Sequence, residues 1–527
     1  MGHWEELRRG MQSRAISRRA FIERAIAVGA TAAAAGRLFT DEAVADVTPK
    51  KGGHLVLGLN GASAGDTLDP ANYTATHMQV FGSQLYDTLA EVDENVKLQP
   101  RLAESWEPKP GAAEWILKIR KGVTFHDGKP MTAADVVHSY NHHRGKDSKS
   151  AAKELLAAFQ DIKATDKYEV TITLDGGNAD LPFILNDYHL CIGPEGSDFK
   201  DGIGTGPYML EKIEPGVRGL TKLNPNKWDP NRGFVDSIET LAINDTTARL
   251  NALISGSVHI INRVDPKTVS LLKSRKDLQV LEIAGAAHYT FPMDCRVAPF
   301  NNADLRRAMK YAIDREAIVR TVLFGHGVVG NDHPIPSFDP NFANDLPKYT
   351  YDVDKAKFYW KKSGYSGPIV HTVSDGAFTG AVDAAQIFQA SAAKAGINIQ
   401  LNKVPADGYW DNVWLKNPFC CSYWDGRPTA DIMLTTVYQS TANWNESHWS
   451  NPQFDKLLVE ARSELDQAKR KEMYRELELL VHDDCGVIIP MFNNTLDAAS
   501  SKVKGFIPMA TLQMSGYRAP EKVWLEG

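Results

Sequence analysis

Cysteine is scarce in this chain, with five in 527 residues: Cys191, Cys295, Cys420, Cys421 and Cys485. None stands in a C-x-x-C pair, which removes the zinc knuckle and the dithiol redox motif. An odd count leaves at least one thiol unpaired within the chain, even in a compartment that permits disulfides. Cys420 and Cys421 are adjacent and cannot easily bridge each other, so the expected bridge joins one of them to Cys295. No window offers the roughly 18 uninterrupted apolar residues of a helical membrane span, and the chain reads as soluble and globular. There is no basic block, and the net charge is a modest −6, so no nucleic-acid partner is indicated. The phosphate-binding pattern G-x4-G-K-[ST] is also missing.

Three patterns that would carry chemistry fail on their context. Gly61-Ala-Ser-Ala-Gly65 fits G-x-S-x-G, but a nucleophile elbow needs a helix straight after the serine, and Pro70 stands there instead. His138 and His142 lie at i and i+4 beside His143. With no H-E-x-x-H glutamate and no second ligand cluster, they read as a solvated helix face. Gly202-Ile-Gly-Thr-Gly206 has the wrong spacing for a dinucleotide loop and runs into Pro207. A secreted hydrolase and a histidine metalloprotein therefore stand only as the competing class, and no cofactor or metal is called for.

What is present begins with a leader. Ser17-Arg18-Arg19-Ala20-Phe21-Ile22 resembles the twin-arginine export motif; a weakly apolar segment follows over 25–35, and Ala43-Val-Ala45 is a small-residue cleavage site before Asp46. Residues 1–45 are thus expected to be a signal peptide that sends an already folded protein to the periplasm. Beyond it, 527 residues are enough for two or more domains with sizeable cores.

The most informative stretch runs from Arg101-Leu-Ala-Glu-Ser-Trp-Glu107 through Glu114-Trp-Ile-Leu-Lys-Ile-Arg120 to Phe125-His-Asp-Gly-Lys-Pro130 and Thr132. Trp115, Leu117 and Ile119 alternate with other residues in period two, a half-buried strand. Gly128 suits a turn, and Thr132 with Asp135 forms a capping box ahead of Val136, Val137 and Tyr140. Farther on, Leu305, Ala308, Met309, Ala312 and Ile313 make one apolar helical stripe. A strand at 367–373, a helix over 381–395 and a strand at 397–401 spell a β–α–β unit. Buried strands are expected at 288–294 and 486–492.

These stretches, together with Gly204-Thr-Gly-Pro-Tyr208 and Asn301-Asn-Ala-Asp-Leu-Arg-Arg307, resemble the family 5 extracellular solute-binding proteins, the peptide-, nickel- and opine-type receptors of bacterial ABC importers. The resemblance implies an α/β, two-lobed periplasmic-binding-protein fold with mixed sheets, two hinge crossings near Tyr289 and Pro490, and an extra subdomain inserted in the first lobe. Residues 46–88, 200–286 and 491–527 would form lobe I, 89–199 the insertion and 287–490 lobe II. Such a receptor acts without catalysis, as a monomer. It closes over a small solute, here first a short peptide, with an opine, sugar derivative or metal chelate as the alternative. It then hands that solute to a membrane permease driven by an ATPase.

By the same resemblance, an Asp in a Trp-rich segment before a Pro meets a peptide's α-amine, which points to Asp425 in Tyr423-Trp-Asp-Gly-Arg-Pro428. The spacing to Pro428 is one residue shorter than in the familiar peptide receptors. Arg427 can fork a ligand carboxylate or pair locally with Asp425 or Asp431. Tyr73 and Thr76 lie in the loop that borders the ligand in the family. Tyr289, Trp410, Tyr423 and Trp424 complete the expected ligand-binding set as aromatic walls.

Overall fold

Two strands of unusual length organise the molecule, Leu278–Pro292 and Val487–Ser500, paired antiparallel along most of their length. The structure is a computed structural model that describes residues 48–405 and 409–526; the expected leader lies outside them. One end of each long strand belongs to a mixed sheet. Its order is Ser422–Trp424, Leu278–Pro292, Val487–Ser500, Ile260–Ile261, His54–Leu59, Ser237–Ala242, Arg218–Leu223 and Tyr208–Glu214. His54–Leu59 runs parallel to both of its neighbours, and the remaining pairs are antiparallel. At the other end Ser422–Trp424 pairs with His288–Thr290, and Gly327–Val329 with Met491–Asn493.

Two cores flank the middle of this ribbon. Leu278, Leu281, Ala498 and Ala499 are buried in the cores of a first lobe. Phe291, Met293, Ile488 and Met491 are buried in the core of a second. Between them the register slips from Ala284 to His288, and such a bulge bends and twists a strand. Gly285 sits in the slip, where a Cβ would lie 2.6 Å from the Asn493 carbonyl oxygen, so only glycine admits that close approach. Both strands run longer than their apolar residues suggest. The polar run Asn493-Asn494-Thr495 reads as a strand end, yet the ladder continues because the partner strand satisfies its backbone.

The second lobe contains the β–α–β unit, with Ile369–Val373 parallel to Ile399–Lys403 and the helix Ala381–Ala393 between them. The helix Ala303–Ala312 is capped by Asn302, whose side-chain oxygen accepts from the amides of Asp304 and Leu305. Its stripe of Leu305, Ala308, Met309 and Ala312 is fully buried, as is Ile313 just beyond it.

A separate four-stranded antiparallel sheet, Ala103–Pro108, Glu114–Ile119, Glu169–Leu174 and Phe159–Asp166, carries the Trp115, Leu117 and Ile119 side chains into its own core. The helix Ala133–His142 adds Val136 and Tyr140 to that core, and the Asp135 carboxylate accepts from the Thr132 amide at 2.7 Å. Arg101 ties this part to the first lobe. Its buried guanidinium donates to Asp87 at 2.6 Å and Asp229 at 2.7 Å, beside the Trp228 ring. Residues Lys51–Gly527 form one compact unit.

The expected disulfide is not formed: all five thiols are free. The Cys421 sulfur lies 3.5 Å from His371 Nε2, Cys295 faces the Met293 carbonyl, and Cys485 faces Ser447 Oγ. The three sulfurs are committed to different neighbours. Among the described residues no helix is long and apolar enough to cross a membrane.

Candidate ligand-binding cleft

The register of the short strand Ser422–Trp424 on Leu278–Pro292 sets Tyr289 opposite Tyr423 just past the bulge. The strand alternates: Ser422 and Trp424 are buried and Tyr423 is 40 % exposed. The Tyr289 ring stacks on Phe378 at 4.0 Å. Trp410 meets Tyr423 edge-on at 5.5 Å and comes from the one-turn helix Tyr409–Asn412. That helix is fastened by the Tyr409 hydroxyl, which donates to the Cys421 carbonyl at 2.7 Å. Trp414 and Trp444 pack against Trp424 behind this surface. Glu446 holds the assembly from beneath, accepting from Trp414 Nε1 at 2.6 Å and from Thr290 Oγ1 at 2.9 Å. Its burial raises the carboxyl pKa, and those donors oppose the rise.

Asp425 follows directly, exposed and with no partner for its carboxylate. Arg427 is half-buried; one guanidinium nitrogen donates to the Asp425 backbone carbonyl at 3.4 Å, and the group lies 5.6 Å from the Trp424 ring. No ion pair forms between Arg427 and either Asp425 or Asp431. Asp431 turns away to Arg462 at 3.0 Å. Burial pulls the Arg427 pKa below its ordinary value, and the nearby Asp425 charge works against that pull.

A second group of residues, from the first lobe, lies within electrostatic range of Asp425 and Arg427 and was not read from the sequence. Tyr188 and Tyr517 meet edge-on at 5.3 Å. Burial raises both phenol pKa values, and Asp425 pushes each the same way. Arg263 follows the two-residue strand Ile260–Ile261, exposed and at φ 48°. A non-glycine residue there is uncommon and costs backbone energy. The Tyr289 phenol is pushed up to about 12 by burial and the Asp425 charge, with Arg263 pulling the other way. Tyr423 feels the same two charges. Asp425, Arg427, Arg263 and four tyrosines thus share one electrostatic environment.

Six expected residues are brought together: Tyr289, Trp410, Tyr423, Trp424, Asp425 and Arg427. Trp424 is buried and serves as backing. Tyr73 and Thr76 correct the expectation. Tyr73 is 1 % exposed, donates to the Leu68 carbonyl at 2.8 Å and packs on Gly82. Thr76 opens the buried helix Thr76–Leu85 and accepts from Gln513. Their polarity is spent on the protein itself.

The other sequence patterns resolve locally. Ser63 reaches Asp66, and it is Asp66 that neighbours His77; with the acid in the middle, no imidazole is placed to take the serine proton. His138, His142 and His143 face Ser197, Asp69 and Ser150 respectively. Among the described residues no group of three metal-binding side chains occurs. A cavity of about 460 Å³ lies elsewhere, lined by Arg101, Arg120, Lys121 and Trp228, and its Arg101 is already paired.

A ribbon shared by two lobes, with aromatic side chains and the charges of Asp425 and Arg427 beside it, is the arrangement of a two-lobed solute-binding protein. The chain belongs to the bacterial extracellular solute-binding proteins, family 5, whose middle-region model matches residues 97–446. Membership points to a binding protein rather than an enzyme. It is 25 % identical over 463 residues to the glutathione-binding protein GsiB of Shigella flexneri, covering 84 % of this chain and 89 % of that one. To the dipeptide-binding protein of Escherichia coli it is 24 % identical over 479 residues, covering 80 % and 86 %. Its fold matches that of the binding protein AgaA, solved with agropinic acid, with a TM-score of 0.74 at 23 % identity, over 90 % of this chain and 99 % of that one.

Proposed function

We propose that the protein is a periplasmic receptor that captures a short peptide and delivers it, as a monomer, to the permease of an ATP-driven importer. The observation that carries this reading is the unpaired Asp425 carboxylate on the aromatic wall at the crossing. In a closed cleft such a carboxylate makes a charge-assisted bond to an ammonium, and tyrosine and tryptophan supply contact area at little entropic cost. Residues 46–88, 200–286 and 491–527 form lobe I in this reading, 89–199 its insertion and 287–490 lobe II. Relatives named for glutathione and for dipeptides support the peptide class.

The test is a calorimetric cycle of wild type and Asp425→Asn, each with a free-amine peptide and its N-acetylated form. Losing one partner of a buried charged pair is expected to weaken free-amine binding by about a hundredfold or more. The acetylated peptide binds the wild type poorly from the start. A change below about fivefold, the range of an exposed pair, would remove Asp425 as the amine anchor. A non-peptide solute such as an opine is the second reading, favoured by the unusual Arg427.

Export through the twin-arginine route belongs to the same proposal, resting on Ser17–Ile22 of the sequence. The paired change Arg18→Lys with Arg19→Lys is expected to hold the precursor inside the cell. Unchanged export of that variant would dismiss the route.

A further inference from the structure

Glu282 lies on the long strand Leu278–Pro292, opposite Leu496 and just before the slip that begins at Ala284. Its carboxylate gathers donors from three separate elements. Lys273 ends the short helix Val269–Lys273, whose Val269 and Leu272 belong to a first-lobe core, and it donates at 3.0 Å. Asn494 of the paired long strand donates its side-chain amide at 2.7 Å. The third partner is the His326 ring, whose Nδ1 lies 2.7 Å away. His326 comes from the other lobe. It follows the helix Arg315–Val322, which buries Ile318 and Val319 in the second core.

His326 is firmly placed. Its amide donates to the Leu323 carbonyl at 2.7 Å, and its own carbonyl accepts from the Asn494 amide at 3.1 Å. A Cβ on the next residue, Gly327, would lie 2.6 Å from the Phe492 carbonyl oxygen, so the strand Gly327–Val329 sits close against the ribbon. Among the described residues Glu282 is the one ionisable group paired with His326. The other charges beside them are first-lobe lysines: Lys273 on Glu282, and Lys267, 5.8 Å from the Phe324 ring centre. Burial pushes the Glu282 carboxyl up, but the bonds from His326, Asn494 and Lys273 outweigh it and hold its pKa at about 2. The acid therefore stays charged, while histidine is the side chain that changes charge between about pH 5 and 8. A protonated ring makes a charge-assisted bond to the carboxylate, and a neutral ring makes only an ordinary one.

The lobes are together in this arrangement, since Asp180 meets Arg470 of the second lobe at 2.7 Å with both side chains buried. Bending at the slip changes the separation of Glu282 and His326, because the two are anchored on opposite sides of it. We propose that Glu282 and His326 form a proton-sensitive brace across the hinge, in which a charged His326 holds the lobes together and loss of its proton loosens them. The charge is present below the histidine range and gone above it, so acid favours the closed arrangement. This goes beyond the receptor reading, which stands whether or not closure responds to pH.

Spin labels on Lys222→Cys of the first-lobe sheet and Lys361→Cys of the second lobe, both exposed positions, report the distance between lobes in the chain stripped of solute. The chain lacking both substitutions serves as the labelling blank. Going from about pH 8 to about pH 5.5 is expected to raise the ratio of short to long distances about threefold, the range of a partly exposed ion pair. His326→Gln keeps a donor but cannot gain a charge, and it should lose that response. Glu282→Gln, which keeps the shape and removes the acceptor's charge, should lose it too. A merely structural role for the pair would change the ratio equally at both pH values. A wild-type ratio that does not move with pH overturns the brace, and so does a pH response that survives in either variant.

Discussion

Asp431 shows how burial and charge compete at a single residue. Its carboxylate lies 3.0 Å from Arg462, yet burial wins and lifts the pKa to about 6 from 3.8. A carboxyl held above its unfolded value keeps a proton that the unfolded chain has lost. Its cost to the native state is therefore nil below about pH 4, grows between about pH 4 and 6 and is complete above that. Two pKa units correspond to on the order of 3 kcal/mol. Asp431→Asn loses the charge but keeps the shape, so its stability relative to wild type should rise by about that amount between pH 4 and pH 7. Parallel denaturant titrations at both pH values measure it, and a constant gap would show that folding leaves the Asp431 pKa unshifted. The sequence named Asp431 only as a neighbour of Arg427, since its partner is 31 residues away. The same limit hid Arg263, Tyr188 and Tyr517, which reach the cleft through long-range packing and lie in no motif. That Trp410 and Tyr423 come together beside Asp425 was legible because the three lie close in sequence. Tyr73 and Thr76 misled because adjacency in sequence does not say which way a side chain turns.

At the level of elements, periodicity told most where one face is wet and one dry. The strand Glu114–Ile119 alternates in burial as its residues alternate in kind. The helix Ala303–Ala312 buries one stripe. Both were legible because local pattern and tertiary environment agree. The two long strands were half legible. Their apolar ends, Phe291 to Met293 and Val487 to Ile489, read as strands, while Gly285 and Asn493 to Thr495 look like breaks. The ladder across the pair overrides those signals, since a buried backbone group must find a partner. That override has a mechanical result. The first of the two slips in the pairing, between Ala284 and His288, is also where the chain passes from the core of one lobe to that of the other. Past the slip Tyr289 packs against the core of the second lobe, while Arg263 follows a strand of the first-lobe sheet.

Across the whole molecule the shared ribbon is balanced by a second contact between its parts. Ala179 donates its amide to the Arg462 carbonyl at 2.8 Å, and Asp180 meets Arg470 at 2.7 Å with both side chains buried. These groups join the four-stranded subdomain to the helix pair Pro452–Ser463 and Gln467–Asp484 of the second lobe. We expect a solute to be enclosed between ribbon and latch, so that opening breaks the latch while the ribbon bends. If domain closure works this way, as hinge closure does in two-lobed binding proteins, Arg470→Ala penalises the closed form more than the open one, where Arg470 keeps only its bonds to the Ala461 carbonyl and the Tyr474 hydroxyl. Removing one partner of a buried pair costs roughly 3–5 kcal/mol, a shift of about two to four orders of magnitude in the closed population. Solution scattering of stripped wild type should show compaction on adding a bound peptide. In Arg470→Ala the same compaction should need far more peptide, with the measured affinity falling by up to that factor. Identical scattering and identical affinity in the two proteins would show that Asp180 and Arg470 stay joined when the solute leaves, and the cleft would then have to open somewhere else.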